Sequence, residues 1–302
     1  AVFKLNDWMT DDIFGQVLKI LNTKISSDSA IQTNEKNYNF FKEGIEVDVQ
    51  NENGSYVKRK VQLFDFNHPE ENDFLAVQEM KIWGEVYHRR ADIVGFVNGI
   101  PLLFVELKRD DIPVENAYND NYKDYQTTIP QLFYYNAFIM FANGPEAKVG
   151  TLGAKFKFFH EWKRLSEDDE EGSVAFETML LGMCNKKNFM DLFENFILFD
   201  HSNGKVVKIL ARNHQFLGVN QAFENYKARK FKDGKLGVFW HTQGSGKSYS
   251  MLFLAQKIHR KLEGSPTIVI LTDRTELNKQ ISGTFEACGC LGNVKAGKYI
   301  AS

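Results

Sequence analysis

The sequence predicts an α/β protein in which a mixed sheet with flanking helices is followed by a second α/β unit opening on a glycine-rich loop. Three observations carry this expectation. Residues 91–108 read Ala-Asp-Ile-Val-Gly-Phe-Val-Asn-Gly-Ile-Pro-Leu-Leu-Phe-Val-Glu-Leu-Lys, two runs rich in β-branched and aromatic residues around Asn98-Gly99, a dipeptide that favours a hairpin turn. A helical stretch and a short apolar run, Ala137–Ala142, come next; hairpin, helix and returning strand together make a mixed sheet. Farther along, residues 236–248 set an apolar run, a glycine-rich turn and the start of an apolar helix in that order. At 302 residues the chain is long enough for two cores. The division is expected near 200, giving units 1–200 and 201–302.

Composition narrows the class. Apolar content of 43% and a charged fraction of 25% are ordinary for a globular protein. The formal net charge of −2 gives no overall attraction to nucleic acid, so any such contact must come from local basic patches. Cys184, Cys288 and Cys290 make neither a disulfide framework nor a zinc site, which points to reduced thiols in the cytoplasm. No run reaches the length of a membrane span and the start shows no signal-peptide pattern, so no membrane partner is expected.

In chain order, residues 10–23 predict a helix with Thr10 as cap, Asp11 and Asp12 at its positive end, and one face of Ile13, Phe14, Val17, Leu18 and Leu21. Residues 24–37 read as a polar loop. Alternation around Asn53-Gly54 predicts a hairpin over 45–64; its Glu46 and Asp48 are either solvated strand positions or further acids for a metal centre. After the central hairpin, Pro113 clears the way for a helix over 115–128, which Pro130 ends or kinks. Lys155–Arg164 interleaves basic and aromatic residues; an edge strand is favoured over a grip on nucleic acid. Ser166–Gly172 is an acidic loop, and 175–199 reads as helical and apolar on one face. Residues 227–235 are strongly basic, a solvated loop by preference over a DNA contact.

The central hairpin carries chemistry at its open end. Glu106 and Lys108 are two residues apart and leave the same face of one strand. Asp92 joins them only if the register allows it. A two-residue loop at 98–99 sets Asp92 opposite Val105, whereas a three-residue loop at 98–100, with Gly99 left-handed and a bulge, sets it opposite Glu106. The three-residue loop is the expectation, because it gathers two carboxylates and an ammonium at a strand end. Such a pair suits a hard divalent cation such as Mg²⁺, with the Leu107 carbonyl as a third oxygen and Lys108 orienting a water beside a phosphate.

The second site is Leu-Gly-Val-Phe-Trp-His-Thr-Gln-Gly-Ser-Gly-Lys-Ser at 236–248. Gly244, Ser245 and Gly246 would close backbone N–H groups around a β-phosphate at a helix amino terminus. Lys247 would reach the β- and γ-phosphates of ATP, and Ser248 would hold Mg²⁺. The full pattern has Gly or Ala at position 241, where this chain has His241.

Residues 61–108 resemble the amino-terminal nuclease domain of the restriction (motor) subunit of type I restriction–modification enzymes. The likeness runs through Val-Gln-Leu-Phe-Asp-Phe-Asn-His-Pro-Glu-Glu-Asn-Asp-Phe at 61–74, Arg-Arg-Ala-Asp-Ile-Val at 89–94 and the hairpin. It implies a PD-(D/E)-x-K endonuclease-like fold with Asp92, Glu106 and Lys108 as its centre, Ala91 standing where the family has proline. The family's Gln-x-x-x-Tyr element implies a role for Tyr125, with Asn121 in place of the glutamine. His-Thr-Gln-Gly-Ser-Gly-Lys is similar to the phosphate loop of the same subunits. Gln215 in Arg-Asn-His-Gln lies where superfamily 2 helicases read adenine, and Thr267–Gln280 resembles their motif Ia. The resemblance implies Mg²⁺-dependent cleavage of double-stranded DNA coupled to ATP-driven translocation, beside modification and specificity subunits. The alternatives are a nuclease–helicase fusion of another defence or repair system, or an inactive DNA-binding or assembly module. No Asp-Glu helicase box comes after Ser248, so a fragment of a longer motor protein is expected, able to bind nucleotide weakly without turning it over.

Overall fold

The structure is a computed structural model that describes residues 1–23, 28–51, 53–169 and 174–289. Cys290, residues 24–27 of the expected polar loop and residues 170–172 of the acidic run lie outside the described residues. In chain order the helices and strands are α1 (Val2–Leu5), α2 (Asp11–Asn22), α3 (Ala30–Glu43), β1 (Ile45–Gln50), β2 (Tyr56–Val61), β3 (Phe74–Trp83), β4 (His88–Val97) and β5 (Ile100–Leu107). Then come α4 (Lys123–Thr128), β6 (Phe138–Ala142), β7 (Ala147–Gly150), α5 (Ala175–Met183), α6 (Lys186–Asn195), β8 (Ile197–Asp200), β9 (Val207–Leu210), α7 (Asn213–Lys227), α8 (Lys247–Lys261) and α9 (Thr275–Cys288).

Five strands make the central sheet, in the order β3-β4-β5-β6-β7. Only β5 and β6 run parallel. Parallel neighbours need a crossover, and here it consists of a π-helical turn (Ala117–Tyr122), α4 and a 3-10 turn (Pro130–Phe133). Every residue of β6 is buried, so both sheet faces are covered. One face packs Leu103, Val105, Phe138 and Met140 against α5 and α6. The other packs Phe104, Ile139 and Phe141 against Tyr122, Tyr125, Ile129 and Phe133 of the crossover. The second face is the one on which Glu106, two residues after Phe104, also projects.

Four expectations are corrected. Residues 30–37 are not loop but the start of α3, opened by a capping box between Ser29 and Gln32. Its apolar period was hidden because polar side chains sit inside: Asn34 donates to the carbonyls of Phe133 (2.9 Å) and Asn136 (2.8 Å), and Asn37 to that of Tyr134 (3.0 Å). Lys155–Arg164 is not an edge strand. It holds a short 3-10 turn and one bridge, Val149 to His160, because Phe159 turns inward to stack on Phe141 at 4.9 Å. The 175–199 stretch is two helices and a strand, which Asn185 divides by capping α6. Finally, the apolar segments 236–240 and 267–272 join no ladder, and Val238, Trp240 and Leu271 are exposed. Parallel strands hold only when neighbours flank them and both faces are covered, and among the described residues no further strand lies beside these two.

Position 200 ends β8, whose antiparallel partner is β9. One continuous apolar cluster runs from Tyr38 and Phe41 through Phe193 and Phe196 to Phe216 and Phe253. The amino-terminal half and the helices around the glycine-rich loop therefore share a core. Lys208 of β9 is part of the seam: its ammonium donates to Asn34 Oδ1 (2.8 Å) and the Asn136 carbonyl (2.6 Å), deep enough that burial holds its pKa well below the usual lysine value. The β1–β2 hairpin forms as expected, and its Glu46 is paired with Lys58 at the surface rather than given to the central site.

Candidate active site

The central hairpin reaches the expected pairing by a different device. Val97 pairs with Ile100, so the loop has two residues, Asn98 and Gly99, with φ of 50° and 81°. These are the left-handed values a tight hairpin turn requires. Farther along, Phe96 pairs with Pro101 but Gly95 pairs with Leu103, leaving Leu102 as an extra residue. That bulge shifts the register by one, and the ladder runs on to Ile93↔Val105. One step beyond, Asp92 faces Glu106, as the sequence expectation required, though the three-residue loop is absent.

At the level of Asp92 the ladder skips a pair toward β3 and ends toward β5. Toward β3 the pairs are Gln78↔Ile93 and Met80↔Ala91, and the intervening Glu79 takes a left-handed φ of 49°. Toward β5, side chains replace ladder bonds. The Leu107 N–H donates to Asp92 Oδ2 at 2.7 Å, and the Asp92 N–H turns to the Glu106 carboxyl. The Lys108 N–H donates to the Ala142 carbonyl at 2.8 Å. Because the peptide is trans and planar, the Leu107 carbonyl points the other way, toward the strand that carries Asp92.

Glu106 is 2% exposed, and its Oε2 has no hydrogen-bond partner among the described residues. Burial above all, and then the Asp92 carboxylate, push its carboxyl up to about 8, against the pull of the Lys108 ammonium, the Asp92 N–H and the Asn121 amide. A buried carboxylate oxygen without a donor is costly unless a proton or a cation takes it. Lys108 donates to Asn121 Oδ1, Asn121 Nδ2 lies 3.5 Å from the Tyr125 hydroxyl, and that hydroxyl donates to the Arg90 carbonyl at 2.9 Å. The π-helical turn sets Asn121 over the strand end, so the shorter amide still spans Lys108 and Tyr125. Burial raises the Tyr125 pKa, which keeps its proton for that bond. Among the described residues no three His, Cys, Asp or Glu side chains converge; a cation here would rest on Asp92, Glu106, the Leu107 carbonyl and water.

The glycine-rich loop is a separate place. Gly244 and Gly246 have φ of 80° and 84°, and Gly246 caps α8, which begins at Lys247. No side chain caps the first turn, so its N–H groups face the loop. Lys247 folds back on the carbonyls of His241 (2.8 Å) and Thr242 (3.0 Å), and Ser248 is next to it in the first turn. The amide of Gln215 is engaged at both ends: Nε2 donates to the Gly246 carbonyl (2.9 Å) and Oε1 accepts from the Arg212 N–H (2.9 Å). His214 Nε2 lies 3.1 Å from the Ser245 carbonyl. Sequence reasoning gave Gln215 a base to read; the structure has it holding the loop to α7. A cavity of about 690 Å³, within the usual range of small-molecule sites, opens beside Gly244, Ser245 and Gly246, with Arg212 and Lys205 on its wall.

Comparison with known proteins finds a family match in each part of the chain. Residues 1–158 match the family model described as type I restriction enzyme R protein N terminus, and residues 214–299 match SWI2/SNF2 ATPase. The chain is 35% identical over 299 residues to the type I restriction enzyme HindI endonuclease subunit of Haemophilus influenzae, covering 95% of this chain and 28% of that protein. It is 29% identical over 318 residues to the putative type I restriction enzyme MjaIXP endonuclease subunit of Methanocaldococcus jannaschii, covering 95% and 30%. It therefore spans less than a third of the length of these relatives. No helix among the described residues is long and apolar enough to cross a membrane.

Proposed function

This chain belongs to the type I restriction enzyme R protein family, and from that premise we propose that it carries the DNA-cleaving centre and the first part of the ATP-driven motor of a restriction subunit. The nuclease unit would take residues 1–200 in a PD-(D/E)-x-K-like fold, and the motor would begin at 201 as a RecA-like domain of superfamily 2 type. Asp92, Glu106 and the Leu107 carbonyl would hold Mg²⁺; bound there, it would lower the pKa of a coordinated water and offset charge on the phosphate. Lys108, held by Asn121 and backed by Tyr125, orients the attacking water. The observation that carries the reading is the partnerless Oε2 of Glu106, two residues from Lys108 and across from Asp92. Among the described residues it is the one buried carboxylate oxygen without a donor.

The motor reading rests on Gly244–Ser248. Phosphates of ATP would displace the His241 and Thr242 carbonyls from Lys247, and Ser248 would meet the nucleotide's Mg²⁺. Adenine recognition by Gln215 would require its amide to release Gly246. In the intact subunit, translocation along double-stranded DNA would feed the nuclease, with target recognition supplied by modification and specificity subunits. Asp92→Ala in the assembled enzyme should abolish Mg²⁺-dependent nicking while DNA binding and ATP turnover continue; surviving cleavage refutes the nuclease centre. Lys247→Ala in the intact subunit should remove ATP hydrolysis, and unchanged turnover refutes the phosphate-loop role.

A further inference from the structure

The meeting of Asp92 with Glu106 hangs on Leu102, the extra residue of β5. A bulged residue has no partner across the ladder, and a buried carbonyl without a donor is costly. Leu102 is fully buried. Its carbonyl takes two bonds from the chain entering β6: the Ala137 N–H at 2.6 Å and Asn136 Nδ2 at 3.2 Å. One residue on, Leu103 pairs with Phe138, and the parallel ladder then runs as far as Leu107. The bulge is thus closed by residues 136 and 137, at the point where β6 begins.

Asn136 is itself tied down. Its Nδ2 also donates to the Phe138 carbonyl at 3.0 Å, and its own carbonyl accepts from Lys208 Nζ at 2.6 Å and Asn34 Nδ2 at 2.8 Å. Its Oδ1 is buried with no hydrogen-bond partner among the described residues, so this amide contributes its donors alone. A buried oxygen left unpaired costs about 1–3 kcal/mol, a cost that an apolar side chain in the same space would not carry. Lys208 comes from β9, sits 5.5 and 5.8 Å from the rings of Phe199 and Tyr38, and also donates to Asn34 Oδ1 at 2.8 Å. Segments far apart in the chain, α3 and β9, therefore converge on the one side-chain amide that holds the bulged residue.

We propose that Asn136 is a positioning residue for the Asp92–Glu106 pair: fixed through its own carbonyl by Lys208 and Asn34, it pins the Leu102 bulge and so sets the register in which the two carboxylates meet. This rests on the reading of that pair as a cation site. Without the amide, the Leu102 carbonyl keeps only the Ala137 N–H, and the ladder is free to close on β4 without the extra residue. A slip of one residue changes every facing pair; Asp92 then faces Val105, and the Leu107 N–H loses Asp92. Because Lys208 lies on β9, the geometry at β4 and β5 depends on a hairpin outside the five-stranded sheet.

The test is Mg²⁺ titration calorimetry on the 302-residue chain, with hydrogen exchange of the Leu107 amide read by NMR. That amide donates to Asp92 Oδ2 at 2.7 Å, a bond that belongs to the bulged register. Asn136→Ala leaves a cavity and Asn136→Leu fills it; both should weaken Mg²⁺ binding about tenfold or more and strip the Leu107 amide of its protection. Lys208→Met, apolar and of similar length beside the two rings, should move both readouts the same way, and carries the test if the Asn136 variants do not fold. Lys257→Ala, which loosens α8 from α6, should keep parental affinity and protection at a temperature where it is folded. Parental values in the variants of either residue, Asn136 or Lys208, overturn the proposal. So does a loss in Asn136→Ala that Asn136→Leu restores, which makes the residue packing alone, or an equal loss in Lys257→Ala, which makes the effect general stability. The cation reading fails separately: a parent chain that takes up no Mg²⁺ refutes it, and the Leu107 amide still reports whether Asn136 holds the register.

Discussion

A carboxyl held at about 8 keeps its proton at neutral pH, and at Glu106 the causes are burial and the facing Asp92. The folded value lies above the unfolded 4.5. The stabilisation from keeping this proton is therefore complete below about 4.5 and is lost as pH rises through about 8. The metal-free chain should melt at lower temperature at pH 8.5 than at pH 6, and Glu106→Gln should flatten that part of the profile. Cation binding at this pair must expel the same proton. Mg²⁺ affinity should rise by up to about tenfold per pH unit between 6 and 8 and then level off. Calorimetry in two buffers of different ionisation enthalpy measures the proton release; pH-independent affinity with none released would remove Glu106 from the ligand set.

Between the turn and the site, one extra residue decides everything downstream. With a two-residue loop and no bulge, Asp92 would face Val105 and the carboxylates would part; Leu102 restores the pairing. Asn98-Gly99 announced the turn in the sequence, but nothing marked Leu102, because a bulge is selected by packing on both faces of the strand rather than by its own residue type. The turn itself can be tested. Asn98 has φ of 50°, its Nδ2 donates to the Leu63 carbonyl at 2.7 Å, and its Oδ1 accepts from the Asp73 N–H at 2.8 Å. Asn98→Ala loses both the tolerance for a left-handed backbone and these bonds, and should cost about 2 kcal/mol in urea unfolding. Asn98→Gly keeps the backbone conformation and should cost less. The reverse order would mean that the turn relaxes without strain.

Across the molecule, α8 is bolted to the amino-terminal half. Lys257 reaches Asp191 of α6 at 2.6 Å and is 8% exposed; Arg260 and Lys261 meet the buried Glu194, and Arg260 also reaches Glu43 of α3. Burial lowers the Lys257 pKa while the Asp191 charge raises it, the balance of a pair that survives only because both partners are present. Lys257→Ala leaves Asp191 without its cation and should destabilise the chain by about 3 kcal/mol. Lys257→Met with Asp191→Leu should recover most of that loss. Equal stability of the single variant and the parent would mean that the shared core, not this pair, joins the halves. Tyr249 of α8 donates to Asp200 at 2.7 Å, so the helix behind the glycine-rich loop also touches the β8–β9 hairpin, through which Lys208 reaches Asn34.

Local signals in the chain were enough for the elements that rest on them: the capped helix at Thr10, the turns at Asn53-Gly54 and Asn98-Gly99, the all-apolar β6, and the glycines before Lys247. They also named Glu106 and Lys108, since residue type and a spacing of two are written in one stretch of chain, and offered Asp92 from the facing arm of the hairpin. Only the packed molecule settled how Asp92 meets Glu106, because register depends on a bulge between strands. Packing also made a helix of the polar run before Tyr38, because its asparagines satisfy loop carbonyls about a hundred residues away in the chain. It left residues 236–240 and 267–272 outside any sheet, because an apolar segment becomes a strand only when neighbours supply its hydrogen bonds.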